Sequence, residues 1–242
     1  MTNIVFTDTF GVPEEYIPKP ATSFVPDWYK NMESYITGEK TPDGNGMTTG
    51  TLKRCMPVFD SITAGYILTT YVDVYVSQKD GTSISKSTGR KKKIKVPWYE
   101  WPSYGPIQFH PVEQAPEHPL ANGFSYPKWI NPWSITTPPG YSVMFTAPVH
   151  RKSVFTILDG VVDTDTYTAP VNFPFVLKDH TYEGLIPAGT PMAQVIPFKR
   201  ESWEMTIGNN EELLQQNKVT TLLRTKFFDS YKSQFRTVKE YK

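Results

Sequence analysis

Two carboxylates one residue apart, Asp163 and Asp165, follow an apolar pair, Val161 and Val162, in the segment LDGVVDTDTY from Leu158 to Tyr167. Aspartate is poor inside a strand and good in a turn, so a strand is expected to run into a polar turn here. At such a strand end one carboxylate could orient a water, and the pair could hold a cation. The same residues also suit a hairpin whose Asp side chains bond their own backbone. Spacing alone leaves both readings open.

Other candidate groups are sparser. His110, Glu113, Glu117 and His118 carry metal-ligating atoms, but Pro111, Pro116 and Pro119 interrupt them without a helical HExxH spacing, so the metal signal is weak. Cys55 is alone, which rules out an intrachain disulfide and a cysteine-based zinc site. Arg90 to Lys93 and Lys95 form the strongest charge run; it reads as a solvated strand edge guarded by lysines, with a phosphate or nucleic-acid patch as the sharper alternative.

The elements that must position these groups follow from composition. A chain of 242 residues can form one large all-β domain or two modest ones. With 22 Pro, 14 Tyr, 14 Phe and 6 Trp, aromatic and Pro-rich β structure is expected ahead of a helical bundle. The net charge of +1 argues against a general nucleic-acid binder. The first residues lack a basic start, an apolar run and a small-residue cleavage site, so no signal peptide is read there. No run approaches the roughly 18 apolar residues of a membrane span, and a soluble protein is expected.

In chain order, residues 1–50 read as an extended arm, because Pro13, Pro18, Pro20 and Pro26 remove ladder donors. Phe24, Trp28 and Tyr29 must dock on something, either the same chain or a neighbouring subunit. Residues 51–205 read as a β domain. Its expected strands include 71–76, 141–147, 155–157, 171–177 and 192–198, with an aromatic loop at 97–119. Such spacing suggests a sandwich or barrel-like domain. Residues 206–242 read as a helical segment, since Leu213, Leu214, Leu222, Leu223, Phe227, Phe228, Tyr231 and Phe235 recur near helical spacing. That stripe packs either on its own β domain or on a partner chain.

Four strings occur in order: TAGYILTTYVDVYV from Thr63, ITTPPGYSVMFTAPVH from Ile135, DGVVDTDTY from Asp159 and IPAGTPMAQVI from Ile186. In order and spacing they resemble the motifs of the trimeric dUTPase and dCTP deaminase superfamily, over about residues 60 to 200. The strings INPW, PPGY and GVVDTD also resemble a little-characterised group of tailed-phage proteins. The resemblance implies a β-clip fold, a homotrimer, and a location in the virion or the host cytoplasm. It would make Asp163 the carboxylate that orients the attacking water. Tyr66, Tyr167 and Gln194 would contact a nucleotide, with Arg151 and Lys152 standing in for the phosphate loop and Asp165 a candidate metal ligand.

The departures from the family are large. Ile67 stands where the family places the Asp that holds magnesium through water, and an aliphatic side chain cannot replace an oxygen ligand. Ala147, Pro148, Val149 and His150 replace the phosphate-binding string, Tyr167 sits one residue late, and the glycine-rich C-terminal arm is missing. The expectation is therefore a non-catalytic, all-β, dUTPase-like protein that works in binding or assembly as a phage structural or accessory protein. No cofactor is expected, and magnesium would enter only with catalysis. The alternatives are a divergent nucleotide pyrophosphohydrolase and a nucleotide sponge or sensor without turnover.

Overall fold

The computed structural model describes residues 2–36, 50–77, 106–110, 118–119, 126–179, 181–208, 210–225 and 230–242. The basic run at 90–95 and most of the aromatic loop, with Glu113 and Glu117, lie outside these residues.

Alternating burial marks the strands, as in Trp133–Thr136 and Phe155–Ile157, where every second side chain faces the core. In order they are β1 (Val5–Asp8), β2 (Lys19–Pro20), β3 (Tyr66–Thr69), β4 (Val74–Ser77), β5 (Ile107–His110), β6 (Tyr126–Trp129) and β7 (Trp133–Thr136). There follow β8 (Tyr141–Thr146), β9 (Phe155–Ile157), β10 (Gly160–Val162), β11 (Phe173–Leu177), β12 (Glu183–Ile186) and β13 (Pro191–Lys199). The helices are α1 (Asp27–Lys30), α2 (Met56–Thr63), α3 (Asn210–Thr225) and α4 (Ser230–Gln234). The protein is mostly β-sheet with few helices.

One sheet has the order β10-β8-β13-β3-β2 and a second β5-β6-β11-β9, with β1-β7 and β12-β4 as two-stranded ribbons. The sheets share one core. Phe145 of the first lies 5.2 Å from Phe173 of the second, and Trp129 stacks on Phe175 at 4.7 Å. Offset aromatic pairs of this kind add about 0.5–1.5 kcal/mol beyond the area they bury.

The N-terminal residues are fastened to the same chain. β1 pairs with β7 and β2 with β3, while Tyr29 is buried against Phe59 and its hydroxyl donates to the Lys53 carbonyl at 3.0 Å. Trp28 Nε1 donates to the carbonyl of His150 at 2.7 Å.

The apolar run at 56–59 forms the first turn of α2, where Pro57 costs no intrahelical bond. One expectation is corrected. Residues 235–242 are not helical. Their side chains are used in tertiary bonds that a continuous helix could not reach: Arg236 Nη2 and Nε donate to Asp60 at 2.7 and 3.0 Å, and Tyr241 packs edge-on against Tyr66.

Among the described residues no helix is long and apolar enough to cross a membrane.

Candidate functional site

The pairing of β10 with β8 sets Val162 opposite Val143 and delivers Asp163 to the start of β8. The chain then turns tightly, with the Thr166 and Tyr167 N–H groups donating to the Asp163 carbonyl at 3.1 and 2.8 Å. Thr164 is buried, and its hydroxyl meets that of Thr137 at 2.7 Å. Burial of the residue between them fixes the directions of the two carboxylates.

Both carboxylates meet Arg200, which follows β13. Its Nη1 lies 2.9 Å from Asp165 Oδ1 and 3.1 Å from Asp163 Oδ1, and its Nη2 pairs with Asp165 Oδ2. The Gly140 N–H donates to Asp165 at 2.8 Å, and the Ser142 hydroxyl donates to Asp163 at 2.6 Å. A guanidinium thus occupies the place between the carboxylates where a bound cation would sit. The Asp165 side chain is only 6% exposed and that of Asp163 60%, so Asp163 alone offers oxygen to solvent. Among the described residues no group of three or more His, Cys, Asp or Glu is placed to hold a metal.

Arg200, and after it the Gly140 N–H, holds the Asp165 carboxyl well below its ordinary value of 3.8, at about 2. A carboxyl depressed in the folded state stabilises the fold above its unfolded pKa, and that contribution is lost as pH falls from about 4 through about 2. Asp165→Asn is expected to lower stability near neutral pH and to flatten the acid limb in that window. The Asp60 carboxyl, lowered by Arg236, leaves a residual slope of the same sign. An acid-unfolding curve for Asp165→Asn that overlays the wild type would show that this pair does not fasten the turn.

The other residues singled out from the sequence fall elsewhere. Gln194 is fully buried in β13: its Oε1 accepts from the Val149 N–H at 3.1 Å, and its Nε2 donates to the carbonyls of Ser61 and Ala64 at 2.9 and 2.8 Å. Tyr66 sits between Phe6 and Tyr241, with ring centroids 5.3 and 5.9 Å away. Strands β8 and β13 separate it from β10, which puts it at least about 14 Å from Asp163 at the usual strand spacing. Tyr167 is half exposed beside the Asp turn.

Arg151 and Lys152 line a cleft of about 50 Å³ together with Lys178, Thr190 and Pro191. That cleft opens at the start of β13, whereas Arg200 and its two carboxylates stand just past the strand's other end. Nine residues at about 3.3 Å each separate the two clusters by roughly 30 Å. Within one chain, Asp163 and the basic pair therefore do not meet on one small substrate.

Sequence reasoning missed Arg200 and Lys178. Each is an ordinary basic residue after a strand, and only the pairing of β13 with β8 and of β11 with β9 brings them to their partners. The chain matches no protein-family model and no curated protein.

Proposed function

We propose that this is a non-catalytic, dUTPase-like β-clip protein that acts by assembly, associating with copies of itself as a structural or accessory component of a phage particle. The observation that carries the reading is the segment 201–225, where every residue of 201–208 and 211–221 is exposed. Trp203, Met205 and Ile207 are 87, 88 and 92% exposed, and Leu213, Leu214 and Val219 add to the apolar surface. Contiguous apolar groups left in water mark an interaction surface.

The segment is tethered at both ends, by Arg200 to Asp163 and Asp165 and by Arg236 and Lys239 to Asp60. It is therefore presented from a fixed base. A second copy is the occupant favoured, because a net charge of +1 opposes self-association little. The ordered strings that resemble the motifs of a trimeric superfamily support the same reading. The closing of both carboxylates on Arg200 supports the absence of hydrolysis.

Sedimentation velocity at micromolar concentration tests the reading. A trimer is expected for the wild type, and a monomer for the triple variant Trp203→Ser, Met205→Ser, Ile207→Ser. Each buried large apolar side chain contributes about 1.5–3 kcal/mol, so three substitutions should weaken association by about a thousandfold or more. A monomeric wild type would sink the proposal.

A further inference from the structure

The last residues of the chain, 235–242, reach from α2 to the start of β3, and among the described residues no backbone–backbone hydrogen bond joins them to either element. Side chains alone hold them. Only Arg236 and Tyr241 in this tail are partly covered, and both touch the body.

Arg236 makes the main hold. Its Nη2 and Nε donate to Asp60 Oδ1 at 2.7 and 3.0 Å, and its guanidinium carbon lies 5.8 Å from the centre of the Phe59 ring. Lys239 Nζ adds a longer contact with Asp60 Oδ2 at 3.4 Å. Further along, Tyr241 packs edge-on against Tyr66, whose hydroxyl donates to the Lys242 carbonyl at 3.3 Å. One carboxylate and one ring thus fasten the whole tail.

The two sides of this contact differ in firmness. Asp60 sits on α2, which buries Ile62 and Thr63 and is tied at the Ser61 carbonyl to Gln194 of the central strand β13. The tail has no such support. Opening it returns Asp60, Arg236 and Lys239 to water together, so no unpaired charge is stranded in the interior. Segments with few buried apolar contacts open at a fraction of the free energy of global unfolding. Closure, in turn, fixes the far end of the exposed segment 201–225.

We propose that residues 235–242 are a latch with Asp60 as its keeper: the tail opens and closes while both sheets stay folded, and closure holds segment 201–225 ready for a second copy of the chain. A segment fixed before it binds loses less conformational freedom on association, so the latched form is the one that associates. This last step rests on the assembly reading; the latch itself does not.

An arginine-specific protease reads the latch in the full chain, because Arg236 held on Asp60 cannot enter a protease pocket until the tail opens. The rate of cutting between Arg236 and Thr237, followed by mass spectrometry, then tracks the open population. Cutting is expected to be about 10-fold slower or more than in a free peptide of residues 230–242. Asp60→Asn keeps the shape and removes the charge, so it should raise the rate about 10-fold with the urea midpoint of the sheets unchanged. Tyr241→Ala should raise it several-fold; this substitution lies on the tail, which keeps the test valid if Asp60→Asn unsettles α2. In sedimentation velocity Asp60→Asn should weaken self-association several-fold. The latch is overturned if the wild type is cut as fast as the peptide, or if both variants are cut at the wild-type rate. It is also overturned if both variants lower the urea midpoint in step with cutting, which would make the tail part of the cooperative fold. Unchanged association in Asp60→Asn would overturn the coupling to assembly, and a monomeric wild type would sink the assembly reading while the protease still decides the latch.

Discussion

Gly65→Ala is expected to abolish the folded state or to destabilise it by more than about 4 kcal/mol, in the range reserved for gross steric or electrostatic damage. Gly65 joins α2 to β3 with φ +68°, a left-handed conformation that costs a residue with a Cβ about 1–2 kcal/mol. Strain alone would be survivable. Steric overlap costs more, because a Cβ at this position would collide with the Val195 carbonyl oxygen and lie 2.9 Å from its carbon and 3.2 Å from Ile196 Cα. These are backbone atoms of β13, the central strand of the five-stranded sheet, so no side-chain rotation can make room.

The same turn carries two further bonds: the Gly65 carbonyl accepts from the Ala21 N–H at 2.9 Å, and the Ala64 carbonyl accepts from Gln194. Moving the turn outward would break both. Gly140→Ala separates strain from overlap, since Gly140 has φ +83° and a Cβ there would meet nothing within 4 Å. It should cost only about 1–2 kcal/mol. Urea unfolding of the two variants decides the matter. Equal losses would mean that the close approach of the α2–β3 turn to β13 is not what requires glycine at position 65.

This close approach shows what was legible in the chain and what was not. The strands expected at 141–147, 155–157 and 171–177 were legible to within two residues because alternation and their bounding Pro and Gly residues are local signals. The Asp163 turn was legible for the same reason. Its partner was not, because Arg200 reaches it only through the register that sets Lys199 of β13 opposite Tyr141 of β8. Residues 235–242 misled because their apolar spacing continues that of α3, while the ion pairs of Arg236 and Lys239 with Asp60 are long-range. Lys178 and Arg151 share a cleft for a similar reason: β11 returns beside β9 after the whole β10 hairpin and Asp turn have intervened.

Gln194→Leu is the second large expected effect, a loss of about 4 kcal/mol, and it decides what this glutamine is for. By resemblance its amide would face a nucleotide. Here the side chain is 0% exposed and its amide ties three segments to β13: the loop after β8 through Val149, the last turn of α2 through Ser61, and the α2–β3 turn through Ala64. The Ser61 carbonyl belongs to the helix end, where carbonyls have no intrahelical partner and need an outside donor. Leucine keeps the volume and the apolar contact but leaves one N–H and two carbonyls unpaired, at about 1–3 kcal/mol each before relaxation.

Gln194→Glu adds a sign that leucine lacks. A carboxylate can still accept from Val149, but it meets two carbonyl oxygens where the amide donated. Its folded pKa should therefore rise, and the variant should lose stability as pH increases above about 4.3, the ordinary glutamate value. A glutamine kept for a ligand would behave differently, since its replacement would leave unfolding unchanged in the absence of ligand. Denaturant curves for both variants at about pH 4 and pH 7 separate the two roles. Wild-type stability for Gln194→Leu would return this residue to the candidate nucleotide contacts, whereas a loss of the expected size, with Gln194→Glu worse at the higher pH, makes it the brace on which the α2–β3 turn and the loop before Arg151 both rest.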